Sequence, residues 1–274
     1  MNKISRYMMT GAVALMAAAA LSSCDNVAED DRFIKLPPIE ADRAVLIEDF
    51  TGQNCLNCPN AHEVIEDLQK QYGEDKVIAV SIHGGGMAIS DVRPFGLMTK
   101  EGDEICNYYA IGRFPMGVID GITPPIDEKG WASAVYNDLQ KPSEVQLEAS
   151  AELMADGNTI SCTANITSSE EGMGKIQFWV VESGIVAQQK MPDSSTNENY
   201  VHNNVFRAQV FPMRGNPVAF SRDGATASGT VDVRERWNLE NVEIVAFVSD
   251  NNNIVQQVVK VPVKLTPDEQ TPAE

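Results

Sequence analysis

"FTGQNCLNCPNAHEVIEDL", Phe50 to Leu68, decides how this chain is read. The residues leading into it, "RAVLIEDF" from Arg43, form a mostly apolar run of strand length. Those following, "PNAHEVIEDLQKQYG", carry Ala61, Val64, Ile65, Leu68 and Tyr72 at helical spacing, with Gly73 placed to end the helix. Cys55 and Cys58 therefore sit where a strand turns into a helix. The first backbone N–H groups of a helix are unpaired, and the helix dipole stabilises negative charge there. A thiolate is favoured at that point, so Cys55 is the natural nucleophile. Cys58, nearly one turn further on, can reach back to close a disulfide. Pro59 is tolerated this close to a helix start.

Working outward, "KVIAVSIH" (Lys76–His83) reads as a second buried strand, apolar on both faces. A glycine loop at Gly84–Gly86 precedes a helix expected over roughly 96–109. "RFPMGVIDG" (Arg113–Gly121) reads as a short strand opened by a proline, and "DEKGWASAVYNDLQK" (Asp127–Lys141) as a helix. Strand and helix alternate, so residues 41–141 predict an α/β layer with a partly parallel sheet. After Pro142 the helical period disappears. Seven strand-like runs separated by Gly, Asn, Asp and Ser clusters predict an all-β, immunoglobulin-like sandwich over 145–265, followed by a polar tail at 266–274.

The chain opens "MNKISRYMMTGAVALMAAAALSSC". Lys3 and Arg6, then an Ala-rich apolar run too short to span a bilayer, predict a signal peptide over 1–23. Leu21-Ser22-Ser23-Cys24 resembles the bacterial lipobox, which implies lipid on Cys24 and a chain tethered to membrane. The alternative is an ordinary signal peptide cut nearby, with Cys24 a leftover thiol. Removing residues 1–23 takes away two bases and no acid, leaving 19 basic against 39 acidic residues, a net charge of −20. So acidic a surface disfavours nucleic acid and anionic headgroups. Residues 24–40 read as an acidic flexible tether. An acidic run just after a lipidated cysteine also resembles the surface-export signal of Bacteroidota lipoproteins.

The strand–turn–CxxC–helix order, with Pro115 at the start of a later strand, resembles the thioredoxin fold. That resemblance implies a cis-proline at Pro115 facing the cysteine pair and holding extended substrate by its backbone. It implies a buried acid at Asp49 helping to deprotonate Cys58. The chain departs from the pattern at Asn54, Pro59 and Met116, where a tryptophan, a basic residue and a different neighbour of the proline are expected. A narrower resemblance rests on the lipobox, "EDFTG…CxNCP" and "YVHNNVFR". It is to the 28-kilodalton outer-membrane protein lipoproteins of Bacteroidota, and it implies an outer-membrane location with a thioredoxin-like domain followed by a sandwich.

Several readings of the pair stay open. Structural zinc wants a second pair of Cys or His ligands at similar spacing, and the sequence has none. Cys106 and Cys162 read as small buried apolar groups. A Cu(I) site built from Cys55, Cys58 and His83 would suit soft thiolates and an imidazole, against a His83 that is merely hydrogen-bonded at a strand end. His62 reads as solvated, and Tyr200 and His202 as residues ordering a long polar loop. Two function classes follow. One is thiol–disulfide exchange on envelope or surface proteins, without cofactor. The other is a non-enzymatic surface-binding lipoprotein in which Cys55–Cys58 is structural.

Overall fold

The structure, a computed structural model, describes residues 42–213 and 215–265. The expected signal peptide, Cys24, the tether and the polar tail lie outside the described residues. In chain order the first elements are β1 (Val45–Thr51), α1 (Cys58–Tyr72), β2 (Val77–His83), α2 (Lys100–Tyr108), β3 (Met116–Ile119), β4 (Ile122–Ile126) and α3 (Glu128–Leu139). Among the described residues, strands then follow without further α-helix: β5 (Val145–Leu153), β6 (Thr159–Ser168), β7 (Gly172–Glu182), β8 (Ile185–Lys190), β9 (Thr196–His202), β10 (Val205–Gln209), β11 (Asn216–Phe220), β12 (Ala225–Asp232), β13 (Val242–Ser249) and β14 (Val255–Lys264).

β1 is buried along its whole length, and its alternation feeds two cores. Val45 and Ile47 point with Val77 and Ala79 toward α1 and α3, where Ala61, Ile65, Leu68, Trp131 and Val135 cover them. Leu46 and Phe50 point the other way with Ile78, Val80 and Ile82, against Ile105 of α2. β1 and β2 run parallel, from Val45 opposite Val77 to Thr51 opposite His83. β3 lies antiparallel on the other edge of β1, placing Met116 opposite Phe50. α2 starts at Lys100, later than expected, because the Thr99 side chain accepts from the Gly102 N–H and fixes the N-cap there.

The expected architecture, an α/β thioredoxin-like domain followed by a separate immunoglobulin-like sandwich, is not what the described residues form. Strands from both stretches join one mixed sheet of twelve strands, ordered β12-β6-β5-β14-β13-β7-β10-β2-β1-β3-β4 with β11 paired to β7. The seam is β10 against β2, where Val205 faces Ser81 in parallel and the Ser81 N–H donates to the Asn204 carbonyl at 2.8 Å. β2, apolar on both faces, needs a neighbour on each edge. β1 supplies one and β10, from far along the chain, supplies the other. Nothing local in either strand names its partner, so alternation alone could not reveal the joint.

Packing follows the same join. Trp179 and Val181 of β7, Phe206 of β10, Val245 of β13 and Val258 of β14 share a core with Leu46, Phe50 and Ile105. Trp179 meets Phe206 and Phe247 edge-on, with ring centroids 5.5 and 4.8 Å away. Arg43 adds a buried polar tie. Its guanidinium donates to Asp120 at 2.6 Å and to the Val255 carbonyl at 2.9 Å. Glu48, 3 % exposed, lies at a small cavity between Tyr109 and Trp179 and accepts from the Tyr109 hydroxyl at 3.2 Å. Burial pushes its carboxyl up to about 8, so it is largely protonated at neutral pH. Cys106 and Cys162 are free and buried, and burial pushes both thiols up to about 12.

Candidate functional site

Cys55 and Cys58 form a disulfide, with Cα atoms 5.5 Å apart. β1 delivers the chain to Gly52, where a tight turn closes from the Cys55 N–H to the Gly52 carbonyl at 2.9 Å. Gly52 cannot carry a side chain: a Cβ would lie 2.5 Å from the Met87 carbonyl. That close crossing lets the Asn54 N–H donate to Met87 O at 2.8 Å and pins the loop over 84–88 beside the pair. Cys58 is the first residue of α1, with Pro59 next to it. Asn57 makes no side-chain cap, and the first turn carries no acid. The positive end of the helix dipole is thus left to the sulfurs.

The pair is covered. Cys55 is 4 % exposed and Cys58 fully buried, whereas the intervening Leu56 is 41 % exposed. The cover is a hairpin, β8 paired with β9, which forms a two-stranded sheet of its own. Gln189 of β8, itself fully buried, donates from Nε2 to the Cys55 carbonyl at 2.9 Å and to the Gly52 carbonyl at 3.3 Å. The Lys190 N–H donates to Gln53 O at 2.8 Å. Gln53 reaches sideways, donating to Phe95 O at 2.6 Å and accepting from the Leu97 N–H at 3.2 Å. Two distant segments are therefore stitched across the cysteine turn by glutamine side chains.

A polar cluster joins the end of β1, the first turns of α1 and β9. Asp49 of β1 is fully buried; its Oδ2 accepts from the Ser81 hydroxyl at 3.2 Å and lies 3.4 Å from His62 Nε2. Its other oxygen has no hydrogen-bond partner among the described residues. His62 also meets the Thr51 hydroxyl at 3.2 Å through Nε2 and the Tyr200 hydroxyl at 2.8 Å through Nδ1. Tyr200 packs edge-on to His202, and His202 to His83, with centroids 4.8 and 5.5 Å apart. All three histidines of the chain thus gather at one corner. Burial, then the charge of a neighbouring imidazole, holds His83 well below the usual range and His202 down at about 4, so both stay neutral. Burial pushes the Tyr200 phenol up to about 12.

Each expected site residue can now be placed. Pro115 is buried, follows a cis Phe114–Pro115 bond, and opens toward β3 at the sheet end where the cysteine turn lies. Asp49 lies in the cluster just described. His83 faces His202, while the two thiols that would join it in a Cu(I) site are bonded to one another. Among the described residues no three His, Cys, Asp or Glu side chains converge as metal ligands. His62 is not solvated: its side chain is 16 % exposed and fully engaged. Tyr200 and His202 belong to β9 rather than to a loop. Gln53 and Gln189 are not legible in the sequence, because a glutamine in a polar run carries no signal of burial. His62 had one, lying four residues after Cys58 on the same helix face.

A model of the outer membrane protein Omp28 family matches residues 102–267, more than half of the chain. The chain belongs to the Omp28 family. It is accordingly an outer-membrane protein. The matched stretch begins after Cys58, so family membership by itself does not bear on the pair. No curated protein sequence matches the chain. Among solved structures, HBP35 of Porphyromonas gingivalis is similar over 85 % of this chain and 80 % of that one, at 15 % identity and a TM-score of 0.62, a likeness of fold alone. A β-glucosidase from Kluyveromyces marxianus (10 % identity, TM-score 0.24, 49 % of this chain and 16 % of that one) resembles it too weakly to support an argument. The same holds for CsgH of R. palustris (14 %, 0.20, 43 % and 91 %).

Proposed function

We propose that this outer-membrane protein is held by lipid on Cys24 and exchanges thiols and disulfides with extracytoplasmic proteins through Cys55 and Cys58. The observation that carries the reading is a disulfide at an uncapped, acid-free helix start with a buried carboxylate, Asp49, in the adjoining strand. In the reduced protein the Cys55 thiolate attacks a substrate disulfide. A Cys55–substrate bond forms, and the first substrate sulfur leaves as a thiolate. Cys58 then gives its proton to Asp49 and attacks Cys55; the Cys55–Cys58 bond forms and the second substrate sulfur leaves as a thiolate. Two electrons pass to the substrate disulfide, and the reverse sequence oxidises a substrate dithiol. Pro115, buried at the same end of the sheet, borders the place an extended substrate segment would occupy.

Burial favours a second reading, in which the disulfide is structural and the protein is a surface-binding lipoprotein. Cys58 is fully buried, and Gln189 clamps the turn. Cys58→Ser separates the two. Under the exchange reading it leaves Cys55 free to accumulate mixed disulfides with envelope proteins, visible as shifted bands that dithiothreitol collapses. No trapped species, together with a wild-type pair that dithiothreitol cannot reduce in the folded protein, would establish the structural reading instead.

A further inference from the structure

Asp49 has no route to water of its own: it is fully buried, and a carboxyl that takes a proton from Cys58 must lose it again before the next turnover. His62 offers the route. It lies one helical turn after Cys58 on the same face of α1, with Nε2 3.4 Å from Asp49 Oδ2. Its other ring nitrogen meets the Tyr200 hydroxyl at 2.8 Å. His62, Ser81 and Tyr200 all line an open cleft of about 560 Å³ between α1 and the end of β9, with Glu243 of β13 and Lys260 of β14 also in its lining. The imidazole therefore stands between the buried acid and solvent, touching both sides with different nitrogens.

We propose that His62 carries the Cys58 proton from Asp49 to this cleft. The inference rests on the exchange reading above. When Cys58 Sγ attacks the mixed disulfide, its proton passes to the Asp49 carboxylate. His62 takes it on Nε2, and the resulting imidazolium releases its Nδ1 proton toward the Tyr200 oxygen and water in the cleft. The ring is left neutral with its proton on Nε2, Asp49 returns to a carboxylate, and proton exchange between the ring and the cleft restores the Nδ1–H form for the next turnover. An imidazole can accept a proton on one ring nitrogen and release one from the other, which a lysine at this place could not do. His62 acts through Asp49 and not on sulfur, so it should influence the resolving step and leave the first attack alone.

The test uses the full chain carrying Cys24→Ser, reduced with dithiothreitol, desalted, and mixed with one equivalent of the aromatic disulfide 5,5′-dithiobis(2-nitrobenzoate). Attack by Cys55 releases one coloured thiolate and resolution by Cys58 a second, so both steps are read in one trace. Cys106 and Cys162 are buried and stay silent. His62→Gln should leave the first phase within twofold of wild type and slow the second at least about tenfold, less than the ~10²–10⁴-fold of a group transferring the proton directly, because His62 acts through Asp49. His62→Ala should show the same loss, restored by millimolar imidazole entering through the cleft. Equal second phases in His62→Gln and wild type would overturn the relay and keep the exchange chemistry. Slowing of both phases alike, or of His62→Ala without imidazole rescue, would reduce His62 to a structural role. Release of neither thiolate by the wild type would overturn the exchange reading itself.

Discussion

Replacing Gln189 by alanine should unlatch the cover over the disulfide. In the folded chain the Gln189 Nε2 group donates to the carbonyls of Cys55 and Gly52 at 2.9 and 3.3 Å, and to its neighbour Lys190 at 3.1 Å. Each such bond contributes about 0.5–1.5 kcal/mol net, and the side chain is fully buried, so alanine removes a donor from the Cys55 and Gly52 carbonyls and leaves a void. Counting the two bonds across to the cysteine turn gives a loss of about 2 kcal/mol. Opening of the hairpin should then be roughly thirtyfold more frequent, at tenfold per 1.4 kcal/mol. Because Cys55 and Cys58 are almost inaccessible when the hairpin is closed, reduction by dithiothreitol should proceed through the open form and quicken by about the same factor. Acid quenching followed by maleimide labelling of the new thiols gives the rate, and urea unfolding gives the global stability. A variant destabilised by 2 kcal/mol whose disulfide is reduced at the wild-type rate would refute the claim that this hairpin gates the pair.

Glu48 makes stability depend on pH. Its folded value near 8 lies above the ordinary 4.5, so the native state holds a proton that the unfolded state has given up. Its contribution is intact below pH 4.5 and is lost as pH rises toward 8, by at most about 5 kcal/mol. Glu48→Gln should flatten thermal stability between pH 5 and 9, and an unchanged slope would show that the carboxyl is already charged. Trp179→Ala should cost about 3–5 kcal/mol in a single cooperative urea transition, since Trp179 shares one core with Leu46 and Phe50. Two separate transitions would mean that the stretches on either side of Pro142 unfold independently. A protease cut between Leu139 and Val145 should likewise leave the pieces associated on gel filtration. Cys24→Ser should release the protein from membranes into the soluble fraction, and mass spectrometry of the wild type should find lipid on Cys24.

The sequence disclosed elements better than their neighbours. β1, α1, β2, β3 and α3 follow from apolar period, glycine and proline, and that pattern sets Asp49 in β1, Cys58 at the start of α1 and Pro115 just before β3. β8 and β9 do not follow from it. "TNENYVH" is polar on both sides because it covers a site instead of filling a core, so it reads as loop. Its Tyr200 nevertheless completes the histidine cluster. The pairing of β10 with β2 was equally silent, because strand alternation reports which face is buried and says nothing of which edge a backbone will find. A fold of two separate domains was the natural reading of the pattern, and one continuous sheet is the result. Gln189 shows the same limit at the site, since its partners are the turn residues Gly52 and Cys55, far away in sequence.

The reduction potential of the Cys55–Cys58 pair tests the central claim most directly. The full chain would be equilibrated in glutathione and dithiothreitol buffers and its thiols counted by alkylation and mass spectrometry. If the pair exchanges disulfides with envelope proteins, its midpoint should fall within the range of exchange proteins, roughly −120 to −270 mV, and Cys55 should be the first thiol alkylated. A midpoint below about −300 mV, where structural disulfides of secreted proteins lie, would contradict the account and leave the pair as a fixed crosslink in a binding lipoprotein.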